Sequence, residues 1–151
     1  MSLSSNAHFL SDVILDDLHF RHRAYDPFTA YGQSKTATAL LAVEAGRRWA
    51  DDGITANAVN PGAIATNLQQ HTGGLRTPVE RRKTVAQGAA TSVLVAASPV
   101  LAGISGRYFE DNTEAAMRTT PPEMFGGGVA TWAVDPDRAQ QLWTHATTLI
   151  T

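Results

Sequence analysis

A tyrosine and a lysine four residues apart are the first candidates for chemistry in this chain. Tyr31 and Lys35 lie in the stretch Tyr-Gly-Gln-Ser-Lys, and in a helix this spacing puts both side chains on one face, one turn apart. A lysine ammonium close to a tyrosine favours the phenolate form, which helps the hydroxyl to exchange a proton near neutral pH. The pair is therefore a candidate general acid and base. The same spacing also occurs where a core tyrosine precedes a solvated lysine.

Two other segments carry residues of chemical interest. The first is Ser4-Ser5-Asn6-Ala7-His8, and the second is Asn60-Pro61-Gly62-Ala63-Ile64-Ala65-Thr66. In the second segment a Pro-Gly turn directly follows a short stretch typical of a strand. A turn at the carboxyl end of a parallel strand lies on the edge of the sheet where ligands bind. Taken alone, Pro61-Gly62 would be an ordinary turn.

The elements that must position these segments are predicted from caps and turn signals. Asp26-Pro27 and Thr77-Pro78 each combine a capping side chain with a proline suited to the first helical position. The predicted order is helix, strand, helix, strand, helix, over residues 27–52, 54–59, 77–97, 106–110 and from 135 onward. Segments 9–25, 63–77 and 111–132 are predicted to be loops. Met1-Ser2-Leu3 is left outside the predicted fold.

This order of elements predicts the fold class. A strand, about twenty residues of helix and a second strand form a parallel crossover unit, so the chain is α/β with helices packed on a parallel sheet. Two strands make an unusually small sheet, which indicates that part of a larger fold is absent. The 151 residues, 43% of them hydrophobic, are expected to form a single domain, residues 1–151.

Composition excludes several classes of function. The chain has 12 basic and 14 acidic residues and a net charge of −2, which argues against nucleic-acid binding. It has no cysteine, and this excludes disulfides, thiolate zinc sites and cysteine nucleophiles. The apolar stretches are too short to span a bilayer. We predict a cytoplasmic protein, since the absence of cysteine fits a reducing compartment.

The three segments together resemble the short-chain dehydrogenase/reductase family. Ser4 to His8 is similar to the segment at the end of the family's fifth strand, Ala30 to Lys35 to its active-site helix, and Asn60 to Thr66 to its cofactor loop. Ser5 and Tyr31 are 26 residues apart, and Leu142-Trp143 lies in the closing helix. Both features resemble the branch that contains retinol dehydrogenases and the oxidoreductases that carry WW domains.

The resemblance implies a role for each matching residue. Tyr31 would exchange a proton with a carbonyl or alcohol oxygen while hydride passes to or from NAD or NADP. Lys35 would hold the nicotinamide ribose and favour the phenolate. Ser5 would hydrogen-bond the reacting oxygen, with Ser4 as the adjacent candidate. The remaining cofactor contacts would come from Pro61, Gly62, Ile64 and Thr66. The substrate would be a small carbonyl compound or secondary alcohol with an apolar body.

A departure from the family pattern limits these expectations. The family begins with a glycine-rich dinucleotide loop, and Gly126 and Gly128 lack the further glycines that such a loop requires. We therefore expect the carboxyl-terminal part of a Rossmann-like doubly wound parallel sheet, with the amino-terminal dinucleotide-binding half absent. Such a chain would bind cofactor weakly and be inactive alone. Apolar surface around Leu40, Leu41 and Trp49 would be exposed, so self-association, most simply as a homodimer, is predicted.

The sequence also contains motifs that are typical of other functional classes. Gly32-Gln33-Ser34-Lys35-Thr36 nearly matches a hydrolase elbow, but Thr36 replaces the last glycine. His19 and His22 lack the spacing of metal ligands, so no metal is predicted. Gly126 to Gly128, with Met124 and Phe125, is either a lid over the substrate or a flexible connection. The alternative from a different class is a non-catalytic association module derived from the same fold.

Overall fold

The computed structural model describes residues 1–70, 73–123 and 126–150. Within these ranges the α-helices are α1 (Pro27–Arg48), α2 (Val85–Ala97) and α3 (Pro136–Thr148). The strands are β1 (Ser2–Leu3), β2 (Ala58–Asn60), β3 (Tyr108–Glu110), β4 (Thr113–Glu114), β5 (Met117–Arg118) and β6 (Val129–Ala130). Short 3-10 helices lie at Asn6–Leu10, Leu15–Asp17, Asn67–Gln69, Val79–Arg81, Pro99–Leu101 and Thr131–Val134.

The main sheet has the order β1-β2-β3-β4. Strands β1, β2 and β3 are parallel, and β4 is antiparallel to β3. Strands β5 and β6 form a separate parallel pair. The predicted α/β class with a parallel sheet is confirmed. Leaving the first three residues outside the fold was wrong, because Ser2 pairs with Ala58 and Leu3 pairs with Val59.

Helix α1 begins as its sequence predicts. The Asp26 carboxylate accepts a hydrogen bond from the Thr29 amide at 2.7 Å, and Pro27 occupies the first turn. The helix ends at Arg48, earlier than the predicted Asp52, and the Trp49 amide donates to the Ala45 carbonyl. A capped 22-residue helix is the longest element described, and it crosses the sheet with Tyr31 near its start.

The core lies on both sides of α1. Ala39 and Ala42 pack with Ala58 and Tyr108 of the sheet. On another face Leu40 packs with Leu142 of α3 and is fully buried. The prediction that Leu40 is exposed was therefore wrong, because α3 covers it. Strand β2 is flanked by β1 and β3 and is not an edge of the sheet.

Helix α2 begins later than predicted. The Thr84 hydroxyl accepts from the Gln87 amide at 3.2 Å, and the Gln87 side chain accepts from the Thr84 amide at 2.8 Å. This reciprocal capping box satisfies two backbone amides. The single cap expected at Thr77-Pro78 would satisfy only one. Residues 79–81 form a separate 3-10 turn instead. The predicted loop over residues 111–132 was wrong in part, because it contains β4, β5 and β6.

Candidate active site

A cleft of about 720 Å³ opens at the carboxyl ends of the parallel strands. It brings together residues from three distant segments of the chain, namely Ser5, Tyr31, Pro61 and Gly62. Ser5 follows β1, Tyr31 lies in the first part of α1, and the Pro-Gly turn follows β2. Since the strands run in the same direction, their carboxyl ends meet at one edge, and the local sequence after each strand forms the wall of the cleft.

Tyr31 and Lys35 lie one turn apart on α1, as their spacing predicts. The Tyr31 side chain is partly open to solvent in the cleft, and the Lys35 Nζ atom lies 5.3 Å from the centroid of its ring. Lys35 Nζ also donates to the Leu3 carbonyl at 3.3 Å, which ties it to β1. Lys35 does not itself line the cleft. The cation is therefore positioned beside the phenol ring and partly open to solvent.

Ser4 and Ser5 have different surroundings. The Ser4 side chain is buried, and its hydroxyl donates to the Lys35 carbonyl at 2.9 Å. Ser5 caps the 3-10 helix that follows, and its Oγ accepts from the Ala7 amide at 3.2 Å. This contact uses a lone pair and leaves the Ser5 hydroxyl hydrogen available to a ligand. Of the two serines, Ser5 is the better placed donor toward the cleft.

The Pro61-Gly62 turn is held by its neighbours. Gly62 has a φ of +82°, a conformation that favours glycine, and its amide donates to the Asn60 side chain at 3.0 Å. The aliphatic end of Lys83 lies so close that a Cβ on Gly62 would come within 2.8 Å of Lys83 Cε. Lys83 in turn forms an ion pair with Asp111, which follows β3. The turn is fixed between β2 and this lysine.

Two of the predicted cofactor residues lie away from the cleft surface. Ile64 forms an isolated parallel bridge with Lys83, and its side chain packs against Gly88 of α2. Thr66 caps the 3-10 helix at Asn67–Gln69, and its hydroxyl accepts from the Leu68 amide at 3.2 Å. Neither residue lines the cleft. Both positions continue the same loop, so the structure groups them with the Pro-Gly turn but not with Ser5 and Tyr31.

Sequence reasoning missed a polar network on the floor of the cleft. Glu110 is buried, and its carboxylate accepts from the Asn60 side chain at 3.3 Å and from the Gly128 amide. The Asn60 side-chain amide also donates to the side-chain oxygen of Asn6, Oδ1, at 2.6 Å. Asn60 and Glu110 are the last residues of β2 and β3. That position was the available signal, because polar residues ending adjacent parallel strands meet at the ligand edge.

The walls of the cleft differ in polarity. Apolar side chains come from Phe9, Leu10, Leu68, Leu75, Pro121 and Pro122, whereas Tyr31, Ser5 and the Asn60 network are polar. Gly126 and Gly127 also line it. Met124 and Phe125, which were predicted to belong either to a lid or to a flexible connection, lie outside the described residues. Charged side chains of Arg81, Lys83, Asp111 and Glu123 line the cleft as well, so it combines apolar, polar and charged groups.

No family model matches the chain, but individual relatives do. It is 50% identical over 96% of its length to a protein of Streptomyces antibioticus named "Probable oxidoreductase". It is 39% identical over 76% of its length to the polyprenol dehydrogenase of Mus musculus, and 34% identical over 95% to the short-chain dehydrogenase/reductase prx1 of Penicillium roqueforti. The chain belongs to the short-chain dehydrogenase/reductase family. It spans only 52%, 36% and 44% of those three relatives.

A solved structure agrees with the assignment of this short-chain dehydrogenase/reductase chain. A crystal structure of a protein from Mycobacterium paratuberculosis matches 97% of the chain with a TM-score of 0.63 and 29% identity. The match covers 48% of that protein. The fold is therefore a partial Rossmann-like sheet, as the sequence predicted, and the alignment fits the carboxyl-terminal half of such a fold.

The structure of this short-chain dehydrogenase/reductase chain bears on two alternative functions, a hydrolase and a metal-binding protein. Ser34 lies inside α1 and its hydroxyl donates to the Tyr31 carbonyl at 2.7 Å, so it does not form the strained turn of a hydrolase elbow. Near His19 and His22, the Asp17 carboxylate accepts hydrogen bonds from the amides of Arg21 and His22 at 2.6 and 3.2 Å, so it stabilises the loop that carries these histidines. Across the ranges that the structure describes, no group of three or more potential metal ligands occurs. None of the helices in those ranges is long and apolar enough to cross a membrane.

Proposed function

We propose that this chain carries the catalytic part of an oxidoreductase that interconverts a carbonyl compound and a secondary alcohol with NAD or NADP. The observation that carries the proposal is the convergence of Ser5, Tyr31 and the Pro61-Gly62 turn on one cleft, with Lys35 beside the Tyr31 ring. These are the residues that match the family's motifs. The names of the relatives support oxidoreductase activity in general.

Each side chain has a separate task in this proposal. Tyr31 gives a proton to the carbonyl oxygen during reduction, or takes one from the alcohol during oxidation. The ammonium of Lys35 stabilises the phenolate that remains after Tyr31 gives up its proton. The Ser5 hydroxyl donates to the same substrate oxygen and stabilises the charge that develops on it. The bound nicotinamide ring would supply or take up the hydride.

The residues present suit the nicotinamide end of such a cofactor. The Lys35 ammonium has three N–H groups, and the Leu3 carbonyl takes one, which leaves donors for ribose hydroxyls. The Pro61-Gly62 turn is preformed, because Asn60 and Lys83 hold it. The sequence has no glycine-rich loop for the pyrophosphate. We therefore expect residues 1–151 alone to bind NAD or NADP weakly or not at all, which titration calorimetry tests.

The substrate class follows from the walls of the cleft. The reacting oxygen would lie near Ser5 and Tyr31, and the rest of the molecule would contact the apolar side chains of Phe9, Leu10 and Leu75. Burial of apolar surface contributes roughly 25 cal/mol per Å². We expect ketones and secondary alcohols with an apolar body to be preferred over short polar ones. A panel of such compounds, assayed with each cofactor, measures this preference.

The decisive experiment removes one oxygen atom. In the full-length product of the gene that encodes this chain, Tyr31→Phe should lower kcat by about 10²-fold to 10⁴-fold and leave cofactor affinity nearly unchanged. Lys35→Ala should impair both quantities. Tyr25→Phe is the matched control, because Tyr25 is exposed and does not line the cleft. Near-normal turnover by Tyr31→Phe would contradict the proposal, whereas a parent protein without any turnover would favour the non-catalytic association module.

A further inference from the structure

His8 is a buried hub next to the proposed active site. Its side chain has no solvent exposure and does not line the cleft. Its Nδ1 atom lies 2.7 Å from the Ser5 carbonyl oxygen, and its Nε2 atom lies 3.0 Å from the Ala130 amide nitrogen. One imidazole therefore joins the segment that carries Ser5 to strand β6, over a sequence distance of 122 residues.

The partners of His8 define its tautomer. The Ala130 amide can only donate, so Nε2 must be the nitrogen without a hydrogen. The hydrogen is then on Nδ1, where the Ser5 carbonyl accepts it. The Tyr108 hydroxyl lies 3.3 Å from the same Nδ1 atom, and the two rings are in contact at 5.1 Å between centroids. His8 is thus a neutral imidazole with a partner at each nitrogen.

Burial keeps this neutral form in place. Because the imidazolium would lose its hydration, burial lowers the pKa of His8 from its ordinary value. The pKa of Tyr108 is raised, mainly by burial, so this phenol is neutral as well. Neither His8 nor Tyr108 lines the cleft, so neither side chain is placed to exchange a proton with a substrate there. Any effect of His8 on the reaction must pass through the backbone that it binds.

The backbone at Ser5 is where such an effect would arise. The Ser5 carbonyl accepts twice from His8, from the amide at 3.0 Å and from Nδ1 at 2.7 Å. This fixes the peptide that follows Ser5, and the Ala7 amide fixes its Oγ. Ala130 follows the Gly126 to Gly128 segment, part of which also lines the cleft. His8 connects this segment with the one that carries Ser5.

We propose that His8 is a positioning residue that holds the Ser5 hydroxyl and the Gly126 to Gly128 wall at a fixed separation for the reaction. The inference rests on the proposed function, because it gives Ser5 a role in stabilising the substrate oxygen. Small losses of position at such a group reduce the rate by large factors. His8 contributes by its two hydrogen bonds and not by charge.

Two substitutions separate the two bonds. In the full-length gene product, His8→Asn keeps an N–H near the Nδ1 position and loses the acceptor for Ala130. His8→Gln keeps an acceptor near the Nε2 position and loses the donor to Ser5. We expect kcat to fall about tenfold or more in His8→Gln, with KM for the cofactor within about twofold. In His8→Asn, kcat should also fall, because the bond that ties Ala130 to the imidazole is lost and the two segments are no longer held together.

A double-mutant cycle with Ser5→Ala tests whether His8 acts through Ser5. In the Ser5→Ala background, His8→Gln should cause little further loss of kcat. Fully additive losses would mean that His8 only supports the fold, and this would overturn the proposal. Parent-like kcat in a folded His8→Asn would also overturn it, which keeps the proposal testable even if His8→Gln does not fold.

The same cycle separates failure of this inference from failure of the proposed function. If Tyr31→Phe and Ser5→Ala both lower kcat but His8→Gln is additive, only the role of His8 is wrong. If Tyr31→Phe leaves kcat unchanged, the proposed function is wrong and the role of His8 falls with it. Circular dichroism and the midpoint of urea unfolding verify that each variant is folded.

Discussion

The burial of His8 gives the stability of the chain a dependence on pH near neutrality. Its pKa is lowered from 6.5 by burial, so the unfolded chain binds a proton at a pH where the folded chain does not. Above about pH 6.5 the His8 imidazole is neutral in both the folded and the unfolded chain, so the free energy of unfolding no longer changes with pH because of this residue. As the pH falls below 6.5, the free energy of unfolding decreases.

We therefore expect the free energy of unfolding of residues 1–151 to fall between pH 7 and pH 5, by up to about 1.4 kcal/mol per pH unit from this residue. Urea unfolding at several pH values measures the slope. His8→Gln should flatten it, whereas His145→Gln on α3 removes a histidine but leaves His8 in place. An equal slope in the parent chain and in His8→Gln would contradict the assignment.

At the scale of elements, the site depends on how closely α1 approaches the segment that carries Ser5. Gly32 follows Tyr31 and is buried against the 3-10 helix Asn6–Leu10. A Cβ at this position would lie 2.7 Å from the Ala7 carbonyl and 2.9 Å from Leu10 Cβ. The absence of a side chain at Gly32 therefore lets the helix touch this backbone. That contact brings Tyr31 and Ser5 to the same cleft.

Gly32→Ala should separate these two elements. Alanine favours a helix by about 1 kcal/mol over glycine, so an open position would gain stability. Here we expect a loss of about 1 to 3 kcal/mol in the free energy of unfolding, because backbone atoms must move. The full-length gene product should also lose turnover.

Ser34→Ala is the control for Gly32→Ala, since Ser34 is exposed on the same helix and also gains helix propensity. It should change stability by no more than about 0.5 kcal/mol. Thermal unfolding of both variants gives the comparison. If Gly32→Ala proved as stable as Ser34→Ala, the close approach would not limit this position.

The elements also explain how far sequence reasoning could reach. Helix α1 was predictable because the Asp26-Pro27 start is a local signal that the structure uses directly. Strands of two residues, such as Ser2–Leu3 and Val129–Ala130, carry no detectable alternation. They exist because tertiary neighbours pair with them. The same holds for α2, where the Thr84 capping box outweighed the earlier proline signal.

The candidate site shows the same contrast between local signals, which the sequence carries, and contacts between distant residues, which it does not. Tyr31 and Lys35 were predicted from their types and spacing, and Ser5 from the family resemblance; the structure brings Ser5 and Tyr31 to one cleft, with Lys35 beside the Tyr31 ring. Glu110 and His8 were not found, because their partners are distant in sequence: Gly128 for the carboxylate and Ala130 for the imidazole. A single sequence gives no signal for such pairs. Only the strand ends at Asn60 and Glu110 pointed to the edge of the sheet.

At the scale of the whole molecule, two surfaces of the chain are left without a partner in the described residues. Strand β1 ends the main sheet, and its Leu3 side chain is half exposed. Along α1, apolar or aromatic side chains face solvent at Phe28, Tyr31, Leu41 and Trp49. An unpaired edge recruits other strands, and a large apolar face favours association. Trp49 is partly covered by Trp143 of α3, the Arg76 guanidinium lies over the Phe28 ring, and Tyr31 lines the cleft, so Leu41 marks the more open part of α1.

We predict that residues 1–151 associate in solution, most simply as a twofold dimer through α1. A symmetric dimer places the same face of each copy against the other, so one substitution changes the interface twice. Leu41→Glu should therefore shift the species seen by light scattering after gel filtration from about twice 16.1 kDa toward 16.1 kDa. Val93→Glu on α2 is the matched control, because Val93 is also exposed but lies on another helix. A parent chain that is monomeric at micromolar concentration and unfolds cooperatively would contradict the prediction. It would show that the α1 face and the β1 edge are stable in water without a second copy.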